Sequence, residues 1–247
     1  MRSMRSVLRQ LAGSAGFDLR RYPRSSIDWR FLQRFQAFPQ RRLLLDVGAN
    51  RGQFATRMLG WGYADHLWSF EPLSAAFDLL EQASATCDRW RAFNIGFDDH
   101  PADRIVSVAS NGGASSTMAS VIDGHATFAP TVGFDRTEQV KTQTLHAFLA
   151  GDELATCGPD SVALKLDTQG WEVPILDGAR DSLATVDLVL VETSVQPLYQ
   201  GGSTFAAING RLEDHGFRLV DAEPTLFQPG SWLVGQIDAV YERRPPS

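Results

Sequence analysis

The sequence predicts an α/β fold built on a parallel, doubly wound sheet, and three observations predict it. Short apolar runs alternate with amphipathic stretches from residue 43 onward. The first run opens LLLDVGANRGQFATRML (residues 43–59), which ends a strand at Asp46 and turns through Gly48, Asn50 and Gly52 into a helix-like stretch. The second ends in Glu71 within SFEPLS (residues 69–74), 25 residues after Asp46. Glycines after one strand let the backbone approach a ligand, and a carboxylate at the tip of the next can accept both ribose hydroxyls of a nucleotide.

The elements follow in order. Residues 1–12 and 27–38 read as helices punctuated by Pro23 and Pro39. LLLDV (43–47) is a buried-type strand, and 52–60 is a helix ending near Gly60 and Gly62. HLWSF (66–70) is a strand, 74–85 a helix, and WRAFNIG (90–96) a third strand. RIVSVAS (104–110) leads into a Gly/Ser-rich loop, NGGASST (111–117), and EQVKTQTL (138–145) alternates like a strand before a short helix. SVALKLD (161–167) is a buried strand whose following helix accepts Pro174 only in its first turn. DLVLVET (187–193) is a strand and 204–215 a helix stopped by Gly216. FRLVDA (217–222) and WLVGQIDAVYER (232–243) close the chain as an antiparallel hairpin.

Ligands of such sheets sit beyond the C-terminal strand ends, so the strand tips carry the functional reading. Asp46, Gly48, Asn50 and Gly52 follow the first strand, without the GxGxxG of dinucleotide enzymes. Glu71 reads as a ribose ligand or as a cap for the next helix. Asp98, in NIGFDD, reads as an acceptor for an adenine amino group or as a turn residue. KLDTQGWE (165–172) places Lys165 and Asp167 on one side of a strand that is otherwise apolar, costly unless the two are paired or used. Glu192 ends the next strand in the same way. If those strands are neighbours, Asp167 and Glu192 lie about 5 Å apart, a pair that can hold a divalent ion, bind sugar hydroxyls or supply a general base. A structural Lys–Asp pair, with Glu192 as a cap, is the alternative. Ser115, Ser116 and Thr117 could line a pocket, and Trp171 borders one. The five histidines show no ligand spacing, and only His125 is a candidate base.

Composition narrows the classes. The chain has 247 residues, 43% hydrophobic and 21% charged, as a folded domain requires. No apolar run approaches the roughly 18 residues of a membrane span, and the basic start lacks the apolar stretch of a secretory signal. Cys87 and Cys157 fit no metal spacing, and a cytoplasmic setting is expected. Residues 1–42 hold ten arginines against Asp18 and Asp28, a net of +8, which leaves −14 on the remainder of a chain of net −6. That acidic body argues against nucleic acid as the partner. The basic extension, residues 1–42, reads as a helical segment packed on residues 43–247 or as a peripheral contact with the inner face of a membrane.

Taken together, DVGANRGQF, SFEPLS, KLDTQGWE and LVLVET, with GASST and the terminal QIDAVYER, resemble the FkbM family of S-adenosylmethionine-dependent methyltransferases over residues 43–243. The resemblance implies a class I methyltransferase (Rossmann-like) fold, a seven-stranded, mostly parallel sheet in the order 3-2-1-4-5-7-6 with a C-terminal antiparallel hairpin. It implies cofactor contacts at Asp46, Gly48, Asn50 and Glu71, with Asp98 near adenine, and Gly52 completes the loop. It also implies O-methylation of a sugar, glycolipid or related natural product. The expected roles are Asp167 as base or magnesium ligand, Lys165 orienting it and Glu192 assisting. A nucleotide-cofactor oxidoreductase and a binding module that keeps the pocket are the competing readings.

Overall fold

A computed structural model describes residues 26–110, 116–121 and 127–245. The expected helix at 1–12, Ser115 and His125 lie outside them.

The sheet begins with β1 (Arg42–Val47), β2 (His66–Phe70) and β3 (Trp90–Phe93), continues with β8 (Ser161–Leu166) and β9 (Leu188–Ser194), and closes with β11 (Phe217–Phe227) and β12 (Val234–Arg243). Its spatial order is β3-β2-β1-β8-β9-β12-β11, which in sheet-strand numbering is 3-2-1-4-5-7-6. All pairs from β3 to β9 are parallel, and β12 runs antiparallel between β9 and β11. The order reverses at β1, whose neighbours are β2 and β8, so a crevice opens above the tip of β1.

Period-two alternation builds the two faces. Leu43, Leu45 and Val47 pack into one core with Trp68, Phe70, Leu164 and Leu166. α4 (Glu172–Ala179) and α5 (Phe205–Asp214) cover that face through Ile175, Leu176, Ile208 and Leu212. Leu44, Leu67, Ala163 and Leu190 face the other way, against α1 (Ile27–Phe35), α2 (Gln53–Gly60) and α3 (Ser74–Ser84). Phe31, Leu32 and Phe35 of α1 are buried among Leu44, Phe54 and Met58, so this part of the basic segment is a layer of the core. Asp46 and Lys165 are side by side in register on that same face, at the ends of β1 and β8.

Two strands depart from expectation. WRAFNIG does not form one strand: β3 stops at Phe93, and Gly96–Phe97 (β4) joins β7 (Phe134–Gln143) and β5 (Ala102–Ala109) in a separate three-stranded sheet. The side chain of Asn94 turns the chain away by donating to the carbonyls of Glu71 (2.9 Å) and Pro72 (3.1 Å). β11 runs on through Pro224 to Phe227, with bulges there. An edge strand tolerates proline because its outward N–H needs no partner. A two-stranded piece, β6 (Ser120–Val121) with β10 (Tyr199–Gln200), stands beside the crevice.

Candidate active site

The crevice is a cavity of about 320 Å³ walled by the tips of β1, β2, β8, β9 and β12. The first turn after β1 makes its floor. Gly48 has φ +76°, and a Cβ there would lie 1.9 Å from the carbonyl oxygen of Asp167. Only glycine lets these two strand tips approach so closely. Gly52, at φ +82°, is required by packing as well: a Cβ would meet the Trp90 ring at 2.6 Å, and Gly52 does not line the cavity. The freedom expected for a ligand is thus used, at both glycines, by the protein's own chain.

Asn50 adopts the left-handed conformation, φ 49°. Its N–H donates to Glu71 Oε2 at 2.9 Å, and Leu73 N–H donates to Oε1 at 2.9 Å. Glu71 therefore fastens the β1 turn and the start of α3 together, and each oxygen keeps a lone pair for a ribose hydroxyl. Burial pushes its carboxyl up to about 7 against the pull of those N–H groups and of Lys165. Asn50 Oδ1 is buried with no hydrogen-bond partner among the described residues, in a residue that lines the cavity. A buried amide oxygen left open at a cavity wall suits a bound donor, such as the ammonium or ribose hydroxyls of S-adenosylmethionine.

Lys165 ties the next two strand tips together. Its ammonium lies 3.1 Å from Asp46 Oδ1 and 3.4 Å from Asp167 Oδ2, and it donates to the Gly48 carbonyl at 3.1 Å. Burial alone would lower its affinity for a proton, but Asp46, Asp167 and Glu192 outweigh burial and hold it above the ordinary lysine range. Asp46 is fully buried behind Lys165, also accepts from Ser69 Oγ at 3.2 Å, and does not line the cavity. Its part is to hold the lysine.

Asp167 and Glu192 stand just beyond the last register pair of β8 and β9, Leu166 with Val191. The Gln169 amide joins them, donating to Asp167 Oδ1 at 2.9 Å and to Glu192 Oε2 at 2.5 Å. Gln236 adds a second donor to Glu192 Oε2 at 3.1 Å. Burial, with Asp167 and Asp238 nearby, drives the Glu192 carboxyl well above the usual range. Asp238 sits opposite Glu192 in the β12–β9 register, and burial together with Asp167 and Asp28 pushes it up to about 8. Sequence reasoning missed Asp238; its only signal is an acid set among the apolar residues of IDAVY (237–241). Among the described residues no group of three or more His, Cys, Asp or Glu is arranged to hold a metal ion.

The expectation for Asp98 is not met by the geometry. It is fully buried, binds the guanidinium of Arg104 and accepts from Asp99 N–H at 2.8 Å. It does not line the cavity, because the chain has left the main sheet at Phe93. Ser116 does line it, while Thr117 is buried behind it.

A model described as "Methyltransferase FkbM domain" matches residues 46–219. The chain belongs to the FkbM methyltransferase family. The FkbM match spans every site residue above except Asp28 and those of β12, Gln236 and Asp238. A curated relative, the 2-O-methyltransferase NoeI of Sinorhizobium fredii (strain NBRC 101917 / NGR234), is 28% identical over 189 residues, 74% of each chain. Among solved structures, magnesium protoporphyrin IX methyltransferase (ChlM) from Synechocystis PCC 6803 with bound SAM matches at a TM-score of 0.47 and 10% identity, over 99% of each chain. A TehB-like SAM-dependent methyltransferase from Corynebacterium glutamicum ATCC 13032 matches at 0.43 and 12%, over 97% of this chain and 96% of that one. Among the described residues no helix of this FkbM protein is long and apolar enough to cross a membrane.

Proposed function

We propose that the protein transfers a methyl group from S-adenosylmethionine to a hydroxyl oxygen of a sugar, a glycolipid or a related natural product. Family membership supports methyl transfer over nicotinamide redox chemistry, and the relative's name, a 2-O-methyltransferase, supports oxygen as the acceptor atom. The observation that carries the reading is the meeting of Gly48, Asn50 and Glu71 with Lys165, Asp167 and Glu192 around one cavity.

Bound S-adenosylmethionine supplies a methyl group already activated by its sulfonium, so the protein's work is alignment and proton removal. Glu71 and Asn50 would hold the cofactor's polar groups. Asp167, 35% exposed at its side chain, is the carboxylate that an acceptor hydroxyl can reach. It receives the hydroxyl proton as the oxygen is methylated, and Lys165 orients it. Glu192, drawn toward its protonated form, stays beside it without adding a second full negative charge. Cofactor positioning at Gly52, Asp46 and Asp98 is indirect in this scheme, through packing and buried pairs.

The test is transfer of tritiated methyl from labelled S-adenosylmethionine to a panel of methyl glycosides with free hydroxyls. Asp167→Asn is expected to lose at least about a hundredfold in turnover, the usual range for a general base, while S-adenosylhomocysteine affinity is kept. Unchanged turnover in that variant removes Asp167 from the mechanism.

A further inference from the structure

Gln169 has a left-handed backbone, φ 54°, and is followed by Gly170 at φ +97°. A non-glycine residue held there costs energy, and it persists only where its surroundings over-determine it. Here they do. Its backbone carbonyl accepts the Thr117 hydroxyl at 2.6 Å, and that hydroxyl in turn accepts Ala119 N–H at 2.9 Å, so its direction is set. Its side-chain oxygen accepts the Tyr199 hydroxyl at 2.9 Å. Both side-chain N–H bonds are used, one on Asp167 and one on Glu192. This orientation suits the Asp167 carboxylate, which the amide oxygen would face if the group were turned over.

Thr117 and Tyr199 belong to the two segments that form the small β6–β10 sheet beside the cavity. Tyr199 packs with Phe128, Leu198 and Ala119, and its ring lies where a Cβ on Gly170 would meet it at 2.8 Å. Ser203 N–H fastens the same segment to the Gly170 carbonyl at 2.8 Å. One neutral residue thus connects the two segments of the small β6–β10 sheet to the two carboxylates at the base of the cavity, without adding charge to either.

We propose that Gln169 is a positioning residue: its amide fixes Asp167 and Glu192 relative to one another and conveys to them the seating of the two segments that carry Thr117 and Tyr199. The inference rests on the methyl-transfer reading for its catalytic consequence, while the linkage itself does not. Two measurements separate the two. In protein carrying ¹⁵N-glutamine, the Gln169 side-chain NH₂ signals, assigned by their loss in Gln169→Leu, are expected to exchange slowly with solvent. Tyr199→Phe and Thr117→Ala should each move these signals and speed their exchange at least tenfold, with no cofactor present. In the tritium assay, Gln169→Leu should lower kcat at least tenfold and leave S-adenosylhomocysteine affinity within threefold. Gln169→Asn, one methylene short, should not rescue it. Signals indifferent to Tyr199→Phe and Thr117→Ala, or a Gln169→Leu turnover within twofold of wild type, overturn the inference. A wild-type protein that transfers nothing to any acceptor, with the NH₂ pattern as expected, overturns the methyl-transfer reading and with it the catalytic role, but leaves the linkage standing.

Discussion

Replacing Lys165 by methionine keeps the unbranched stem of the side chain, one atom shorter, and removes its charge. In the native protein the ammonium lies 3.1 Å from the fully buried Asp46 and 3.4 Å from Asp167. Deleting one partner of a buried pair leaves the other carboxylate uncompensated, at a cost of about 3–5 kcal/mol. Set against the roughly 5–15 kcal/mol that holds a domain together, this is a large share. The sign of the pH dependence follows. The folded protein holds the lysine proton more tightly than the unfolded chain does. The lysine's contribution is therefore complete at neutral pH and is lost only as pH rises above the lysine range. In the variant, the abandoned carboxylate has to take up a proton to stay buried, so the gap between variant and wild type should widen from about pH 4 toward neutrality. Urea unfolding near pH 5 and near pH 7.5 measures both the loss and its trend. Lys165→Met/Asp46→Asn removes both charges and should recover most of the loss, closing a double-mutant cycle. A loss below about 1 kcal/mol, the size of an exposed pair, equal at both pH values and not recovered in the double variant, refutes a buried ion pair at the strand tips.

Two further outcomes are expected. Gly48→Ala puts a Cβ 1.9 Å from the Asp167 carbonyl at a positive φ, which should cost about 2–4 kcal/mol and weaken S-adenosylhomocysteine binding, read by thermal unfolding and calorimetry; unchanged values would mean the strand tips do not meet there. Asp238 is pushed up to about 8, so the unfolded chain releases its proton first and stability falls as pH rises from the ordinary carboxylate range toward that value. Asp238→Asn should flatten that part of the melting temperature against pH, and parallel curves would contradict the burial of this acid.

What could be read from the sequence follows a physical rule. Strands buried on both faces show as apolar runs, so a charged residue at the end of one is conspicuous. Asp46, Glu71, Lys165, Asp167 and Glu192 were legible for that reason, and so was a parallel sheet, while the order of its strands came from the family resemblance. Asp98 looked the same on paper, yet Asn94 turns the chain out of the main sheet before it, and a side chain bonding two carbonyls leaves no periodic trace. Asp238 reaches the crevice by antiparallel pairing, and a β12 sequence does not name its partner. The glycines of the first turn were legible as turn residues, but the neighbours that demand them, the Asp167 carbonyl and the Trp90 ring, lie 119 and 38 residues away in sequence. Gln169 was illegible for a different reason: its role depends on one left-handed backbone angle and on four partners brought together only by the fold.

In the proposed function the strand tips of β1 and β2 form a seat for an adenosyl cofactor, gripped by Glu71. Titrating S-adenosylhomocysteine into the wild-type protein and into Glu71→Ala by calorimetry addresses it directly. One molecule is expected to bind per chain, with affinity at least tenfold weaker in a Glu71→Ala protein that still unfolds cooperatively. Binding of equal strength in both proteins, or no heat from the wild type at all, would rule out a cofactor seat held by Glu71.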